Sequence, residues 1–306
     1  MTPSKKICRA LLAALILILC HAITVKADNA VTNKSPAAFS VKVTGTGRPM
    51  ILIPGLSCGG DVWDGTVAHF KDHYECHVLT LAGFAGQPAI SAPFLEQVRA
   101  GIAKYISDNK LDHPIIIGHS LGGFMAFWVG ATIPQQVGPI ISVDGMPFLP
   151  ALFNPDATPE SVKSFAEQFR AGYSTQTPEA FAASNRRALA TMITDPKDVD
   201  AVDATSKNSD PKAVGEAFYE LMTTDLRQQI KAIQTPVLLL GATATIPDAQ
   251  QRIAVETGYR QEVAAIPNHT VVFAPKARHF IQLDEPQFFY AQVESFLKAA
   301  DAPTAR

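Results

Sequence analysis

A serine between two glycines is the part of this sequence whose residue types are best suited to chemistry. Residues 118–122 read Gly-His-Ser-Leu-Gly, after an apolar run at 114–117 and before a helical pattern. A sharp strand–turn–helix connection needs glycine at 118 and 122, because a Cβ there would collide with neighbouring backbone. Such a turn raises the Ser120 hydroxyl above the sheet, and the following helix N-terminus favours a negatively charged oxygen beside it. The pattern predicts a nucleophilic serine; a structural turn with a bystander serine is the alternative.

The segments around this turn alternate between short apolar runs and helical patterns. Helical periodicity occupies residues 94–106, 124–131 and 286–297. The apolar or β-branched runs predict strands at 41–44, 50–53, 78–81, 115–117, 140–143, 237–240 and 271–273. Strands that alternate with helices predict an α/β fold, with a mainly parallel sheet flanked by helices on both faces.

Residues 147–233 interrupt the alternation. They show no strong strand pattern, and their apolar residues recur at helical spacing after a proline-rich start. We expect a helical cap insertion here, lying over the carboxyl edge of a core formed by residues 39–146 and 234–300. An ordinary run of surface helices is the alternative.

Four short segments resemble the α/β-hydrolase superfamily. They are Ile-Pro-Gly-Leu at 53–56, Gly-His-Ser-Leu-Gly-Gly at 118–123, Val-Asp-Gly at 143–145 and Ala-Arg-His-Phe at 277–280. The resemblance extends over nearly all of residues 39–300. It implies the α/β-hydrolase fold and a serine hydrolase that needs no cofactor.

The resemblance also implies a base and an oxyanion site. A serine hydroxyl needs an adjacent base, and the family places a histidine after its last strand, where His279 stands. Backbone N–H groups of Leu56 and Leu121 correspond to the family's oxyanion donors. Pro54 replaces the histidine that usually precedes Gly55, but a backbone donor depends on the glycine's conformational freedom and survives this change.

The acid of the triad departs from the usual pattern. The family most often carries it a few residues past the position of Gly241, but residues 241–245 contain no carboxylate. Some members carry the acid at the end of the preceding strand, where Asp144 stands, and there it can orient the base histidine. We assign Asp144 as the acid. Asp248 is the alternative acid, and another group, or none, is the third possibility.

These residues predict a serine hydrolase acting on a carboxylic ester or related acyl substrate. Peptidase or amidase activity and perhydrolase activity on the same triad are alternatives. Haloalkane dehalogenation is not expected, since that chemistry needs a carboxylate where Ser120 stands. A non-catalytic binding protein that retains the fold is the alternative from a different class, and the missing carboxylate after Gly241 favours it.

Charge and composition restrict the classes of binding partner that we expect. Lys plus Arg total 26 and Asp plus Glu total 28, so no basic surface for nucleic acid is expected, and the partner is a small-molecule acyl substrate. His69, His73 and His77 recur every fourth residue, but the segment runs into a predicted strand at Val78, so no metal site is predicted. The oligomeric state is left open.

The N-terminus predicts export to the periplasm or the medium. Basic residues precede an apolar run at 10–19, which is too short to span a bilayer and typical of a signal peptide at 1–27. A flexible segment at 28–38 follows, and no stable membrane insertion is expected after cleavage; a retained anchor is the alternative. Cys8 and Cys20 would leave with the signal peptide, so Cys58 and Cys76 remain as an even pair in an oxidising compartment. We expect a disulfide between them, with two buried free thiols as the alternative.

Overall fold

Seven strands form one sheet in the computed structural model, which describes residues 37–302. The strands are β1 Phe39–Thr44, β2 Arg48–Ile53, β3 Tyr74–Leu81, β4 Ile115–His119, β5 Ile140–Val143, β6 Val237–Ala242 and β7 His269–Ala274. Their order is β1-β3-β2-β4-β5-β6-β7; β1 is antiparallel to β3, and all other pairs are parallel. The predicted α/β fold with a mainly parallel sheet is confirmed.

Ten helices accompany the sheet in the described range. They are α1 Asp64–Phe70, α2 Phe94–Asp108, α3 Leu121–Thr132, α4 Pro159–Ser174, α5 Pro178–Met192, α6 Pro196–Ser206, α7 Pro211–Thr223, α8 Ala249–Val263, α9 Ile281–Asp284 and α10 Pro286–Ala300. Short 3-10 turns lie at Gly60–Trp63, Leu149–Leu152 and Gln229–Ala232.

The central strands contain continuous apolar runs because both faces of the sheet are covered. In β2, Ile51 and Ile53 belong to the core on the side of α2 and α3. Met50 and Leu52 belong to the core on the side of α10. Successive strand residues point to opposite faces, so a strand buried on both sides requires a continuous apolar run.

Between β5 and β6 the described chain contains helices and no strand, over the segment predicted to be a cap. Each of its four α-helices begins with proline directly after a threonine or aspartate whose side chain accepts a backbone N–H of the first turn; these N-caps are Thr158, Thr177, Asp195 and Asp210. Proline fits the first helical position, and the cap side chain satisfies a donor that the helix leaves free. The repeated Thr-Pro and Asp-Pro pairs therefore divide the segment into separate helices.

A half-buried carboxylate connects this helical segment to α2. Glu220 of α7 accepts the backbone N–H groups of Phe94 and Leu95, at 2.5 and 2.6 Å, at the N-terminus of α2. The bond satisfies two helix-terminal donors and places negative charge at the positive end of the helix dipole.

The predicted disulfide is wrong. Cys58 and Cys76 are free and buried. The loop that carries Cys58 contacts β3 at Thr80, whose hydroxyl accepts the N–H of Gly60 at 2.9 Å. Thr80 lies four residues beyond Cys76, or about 13 Å along the strand. A disulfide needs Cα atoms within about 7 Å. Burial raises the pKa of the Cys58 thiol to about 12 and that of Cys76 to about 11, so both stay protonated.

The predicted signal peptide at 1–27 and most of the predicted flexible segment at 28–38 lie outside the described residues. Within 37–302, no helix combines the length and the apolar character needed to cross a membrane.

Candidate active site

Ser120 occupies the turn between β4 and α3, at the carboxyl edge of the sheet. Its backbone is left-handed, with φ 53° and ψ −117°, a conformation that a serine adopts only where surrounding structure imposes it. A Cβ on Gly118 would overlap the Gly122 carbonyl, and a Cβ on Gly122 would overlap the Ile53 carbonyl. Backbone crowding on both sides of the turn therefore accounts for both glycines.

His279 and Asp144 meet across 135 residues of chain. Asp144 directly follows β5, and His279 lies in the loop between β7 and α9. The His279 Nδ1–H donates to Asp144 Oδ2 at 2.6 Å, and the two side chains are 26% and 8% exposed. This hydrogen bond leaves Nε2 as the unprotonated ring nitrogen, which is the tautomer that a general base needs.

Asp248, the alternative acid, is engaged elsewhere. It is the exposed N-cap of α8, and its Oδ1 accepts the backbone N–H of Gln251 at 2.7 Å. The structure places Asp144 rather than Asp248 against the imidazole.

Tyr259 is a residue of this site that the sequence analysis missed. Its hydroxyl donates to Asp144 Oδ1 at 2.6 Å, and the Ala242 N–H donates to the same oxygen at 2.9 Å. Burial, followed by the charge of Asp144, raises the pKa of Tyr259 well above its usual value, so the phenol keeps its proton. Tyr259 lies on α8, 115 residues from Asp144, and no local pattern links the two positions.

His119, next to the nucleophile, holds the segment that carries His279. Its Nε2–H donates to the His279 carbonyl at 3.1 Å, and its ring packs 4.3 Å from that of Phe280. Burial, and then the neighbouring His279, lowers the pKa of His119 well below its usual value. The ring is therefore neutral, and its buried Nδ1 has no hydrogen-bond partner among the described residues.

A cavity of about 140 Å³ is lined by three of the predicted site residues, Leu56, Ser120 and His279. The helical segment between β5 and β6 contributes the other side of its wall, with Tyr173, Asn185, Ala188, Leu189, Met192 and Val214. Within the described part of the chain, no hydrogen bond joins the Ser120 hydroxyl to His279. Catalytic hydrogen bonds of this kind commonly tighten only when substrate binds.

The two predicted oxyanion donors flank Ser120. Leu121 opens α3, where its N–H has no partner within the helix. Neither it nor the Leu56 N–H donates to another described residue. The loop that carries Leu56 lies against the turn, since a Cβ on Gly55 would come within 3.3 Å of the Ser120 Cβ.

A network of buried hydrogen bonds connects the loop that carries Leu56 to the helical segment between β5 and β6. The Ser57 hydroxyl donates to Asn185 Oδ1 at 3.0 Å, and Asn185 Nδ2 donates to the Ser206 hydroxyl oxygen at 2.8 Å. The Ser209 hydroxyl donates to the Ser57 carbonyl at 2.8 Å. Ser57 has a left-handed φ of 60°, and these bonds hold it there, directly after Leu56.

Over residues 37–302, no three His, Cys, Asp or Glu side chains are grouped so that they could hold a metal ion. His69 lies in α1, whereas His77 lies in β3 and bonds Tyr105 and Glu75. The histidines spaced by four therefore do not share one helix face.

Known proteins are similar to this chain in sequence and in fold. The model of the Alpha/beta hydrolase family matches residues 50–292. A pimeloyl-[acyl-carrier protein] methyl ester esterase of Salmonella heidelberg is 27% identical over 192 residues, which cover 62% of this chain and 73% of that protein. A thermophilic esterase from Thermogutta terrifontis superimposes with a TM-score of 0.70 at 17% identity, covering 86% of this chain and 94% of that one. The enol-lactonase from Burkholderia xenovorans gives 0.69 at 16% identity, covering 85% and 96%. At these identities the two structures show a common fold.

Proposed function

The chain belongs to the alpha/beta hydrolase family, and we propose that it is a serine hydrolase that cleaves small carboxylic esters through an acyl-enzyme on Ser120. Its esterase-like relatives support ester hydrolysis in general. The observation that carries the finer proposal is the hydrogen bond between Asp144 and His279, since His279 lines one cavity together with Ser120.

The reaction follows from the roles of these groups. The Ser120 oxygen attacks the ester carbonyl carbon while His279 Nε2 takes the hydroxyl proton. Asp144 stabilises the resulting imidazolium, and the Leu56 and Leu121 N–H groups hold the oxyanion. The imidazolium returns the proton to the departing alcohol. Water, activated by the same nitrogen, then releases the acid and restores the serine.

The cavity favours a short acyl group. Its volume of about 140 Å³ lies below the usual range for ligand pockets, about 300–1,000 Å³, and its cap wall includes Leu189, Met192 and Val214. The relatives named above act on a methyl ester and an enol lactone, both of which are carboxylic esters. An ester is therefore favoured over an amide or a peroxy acid as substrate.

An active-site probe tests the nucleophile. A fluorophosphonate is expected to label the wild type and Ser107→Ala, an exposed control on α2, and to leave Ser120→Ala unlabelled. Labelling that survives in Ser120→Ala would overturn the assignment of the nucleophile. Wild-type protein that is folded but never labelled would instead support a binding protein with a hydrolase fold.

An ester panel tests the substrate class. p-Nitrophenyl acetate and butyrate are expected to be hydrolysed faster than the octanoate, because the cavity has no room for a long chain. Activity confined to peptide amides, or to peroxy acid formation, would replace the ester assignment with the corresponding alternative.

A further inference from the structure

We propose that Tyr259 is a positioning residue for this reaction, which holds the Asp144 carboxylate in the orientation that orients His279. The inference rests on the proposed function, because it assigns Asp144 and His279 to the triad. Tyr259 acts on the reacting atoms only through these two side chains.

The hydrogen bonds on Asp144 leave its carboxylate one orientation. Oδ2 accepts from His279 Nδ1, while Oδ1 accepts from both the Tyr259 hydroxyl and the Ala242 N–H. Rotation of the carboxylate away from these donors would break the three hydrogen bonds in a side chain that is 8% exposed. Water cannot readily replace a lost donor at such a site.

The chain makes specific room for the tyrosine. Tyr259 is 4% exposed, and its ring packs edge-on against Phe273 of β7 at 5.5 Å. A Cβ on Gly241 would come within 2.8 Å of the Tyr259 ring, so glycine at the end of β6 lets the ring approach the sheet edge. The following residue, Ala242, supplies the second donor. The segment where the family usually carries its acid thus serves here to hold an acid carried by the neighbouring strand.

The phenol is a permanent donor at this position. Burial and the adjacent carboxylate keep its proton in place, so it still donates when His279 becomes an imidazolium. A phenol that donates to Asp144 also withdraws negative charge from the carboxylate, which weakens the attraction of that carboxylate for a proton on His279. The other titratable ring on this pair is the neutral His119. Four charged residues lie on α8: Arg252, Glu256, Arg260 and Glu262. Glu256 and Arg260 pair with each other at 3.8 Å, and Glu262 accepts the Phe148 N–H at 2.9 Å.

Tyr259→Phe separates positioning from packing. It keeps the buried ring and removes the hydroxyl, and Tyr259→Leu removes both. We expect kcat on p-nitrophenyl acetate to fall about tenfold in Tyr259→Phe with little change in KM, because one charge-assisted hydrogen bond is lost. The acid limb of kcat/KM should move to higher pH, because the carboxylate then attracts the imidazole proton more strongly. Tyr105→Phe is the matched control, since it removes a hydroxyl that bonds His77 at 2.8 Å, outside the cavity.

The acid limb of kcat/KM and the Tyr259→Leu variant decide whether the proposal holds. A Tyr259→Phe enzyme with wild-type kcat and an unmoved acid limb would overturn the proposal. So would a loss of kcat seen in Tyr259→Leu alone, because packing would then explain it.

A measurement that does not depend on turnover distinguishes a failure of this inference from a failure of the proposed function. The low-field NMR resonance of the His279 Nδ1 proton reports its bond to Asp144, and it should shift in Tyr259→Phe and stay in place in Tyr105→Phe. If the wild type fails the fluorophosphonate test, the proposed function is lost, and a shifted resonance still supports the positioning of Asp144. An unshifted resonance overturns that positioning whether or not the protein is an esterase.

Discussion

Two carboxylates, Asp144 and Asp248, could serve as the acid on sequence alone, and their surroundings distinguish them. Asp144 is largely buried and meets three donors, one of them the imidazole of His279. Asp248 is exposed and closes the first turn of α8. A buried carboxylate bonded to an imidazole fixes the tautomer and stabilises the imidazolium, whereas a capping carboxylate stabilises a helix.

Replacing each acid with asparagine should separate these roles. Asp144→Asn is expected to lower kcat by about 10⁴, because an amide can neither hold the base in its working tautomer nor stabilise its charge. Asp248→Asn should change kcat by less than about twofold, since asparagine caps helices about as well as aspartate. Steady-state kinetics on p-nitrophenyl acetate measures both. The opposite ranking would move the acid to Asp248.

At the scale of elements, the loop after β2 is held from two sides. The turn at Ser120 packs against Gly55, and the chain Ser57–Asn185–Ser206 bonds the loop to helices α5 and α6 of the cap. Buried polar networks of this kind are favourable only when every member is satisfied. Ser57, the residue after the proposed oxyanion donor Leu56, is therefore bonded to the helical segment between β5 and β6.

Asn185→Leu tests this coupling. The variant leaves the Ser57 and Ser206 hydroxyls without their buried partner, and we expect about 2 kcal/mol less stability in urea unfolding, with a lower kcat/KM. Asn208→Leu is the control, because Asn208 is exposed. Equal effects of the two substitutions would show that the buried chain contributes nothing specific.

At the scale of the whole molecule, the start of the cap segment is tied to the core through a buried glutamate. Glu262 of α8 accepts the Phe148 N–H at 2.9 Å, and the Arg227 guanidinium lies over the Phe148 ring at 4.7 Å. Burial raises the pKa of Glu262 to about 7, although Arg227 and the Phe148 N–H oppose the rise. In the folded protein Glu262 therefore keeps its proton up to a higher pH than it does in the unfolded chain.

The stability of the protein should depend on pH through this group. A carboxyl whose folded pKa is raised contributes stability that is complete below its unfolded pKa, near 4.5, and is lost as pH rises through about 7. Glu262→Gln removes this loss. The stability of the variant relative to wild type should rise between pH 5 and pH 8 by on the order of 2 kcal/mol, measured by urea unfolding. Glu167→Gln, at an exposed glutamate of α4, controls for the substitution. A relative stability that stays constant over this range would contradict the prediction.

The sequence determined the strands of this protein, the helical segment between β5 and β6, and the turn that carries its proposed nucleophile. All seven strands were predictable, because a run buried on both faces is continuously apolar and a half-exposed strand such as β1 alternates. The glycines around Ser120 were predictable for a similar reason, since crowding within one tight turn depends on residues close in sequence. The helical character of the segment between β5 and β6 was predictable as well, from the spacing of its apolar residues and from its prolines.

Only the tertiary structure decided which distant groups meet. Asp144 and Asp248 were both possible acids, and the register of β5 beside β6 brings the first to the Ala242 N–H, to Tyr259 and to His279. Tyr259 escaped sequence reasoning because no periodicity relates a residue on α8 to the end of a neighbouring strand. The expected disulfide is wrong because two cysteines buried in the same core can still lie too far apart along a strand to bond. Local patterns encode local geometry, whereas contacts across a hundred residues depend on how the strands align and where the loops between them lead.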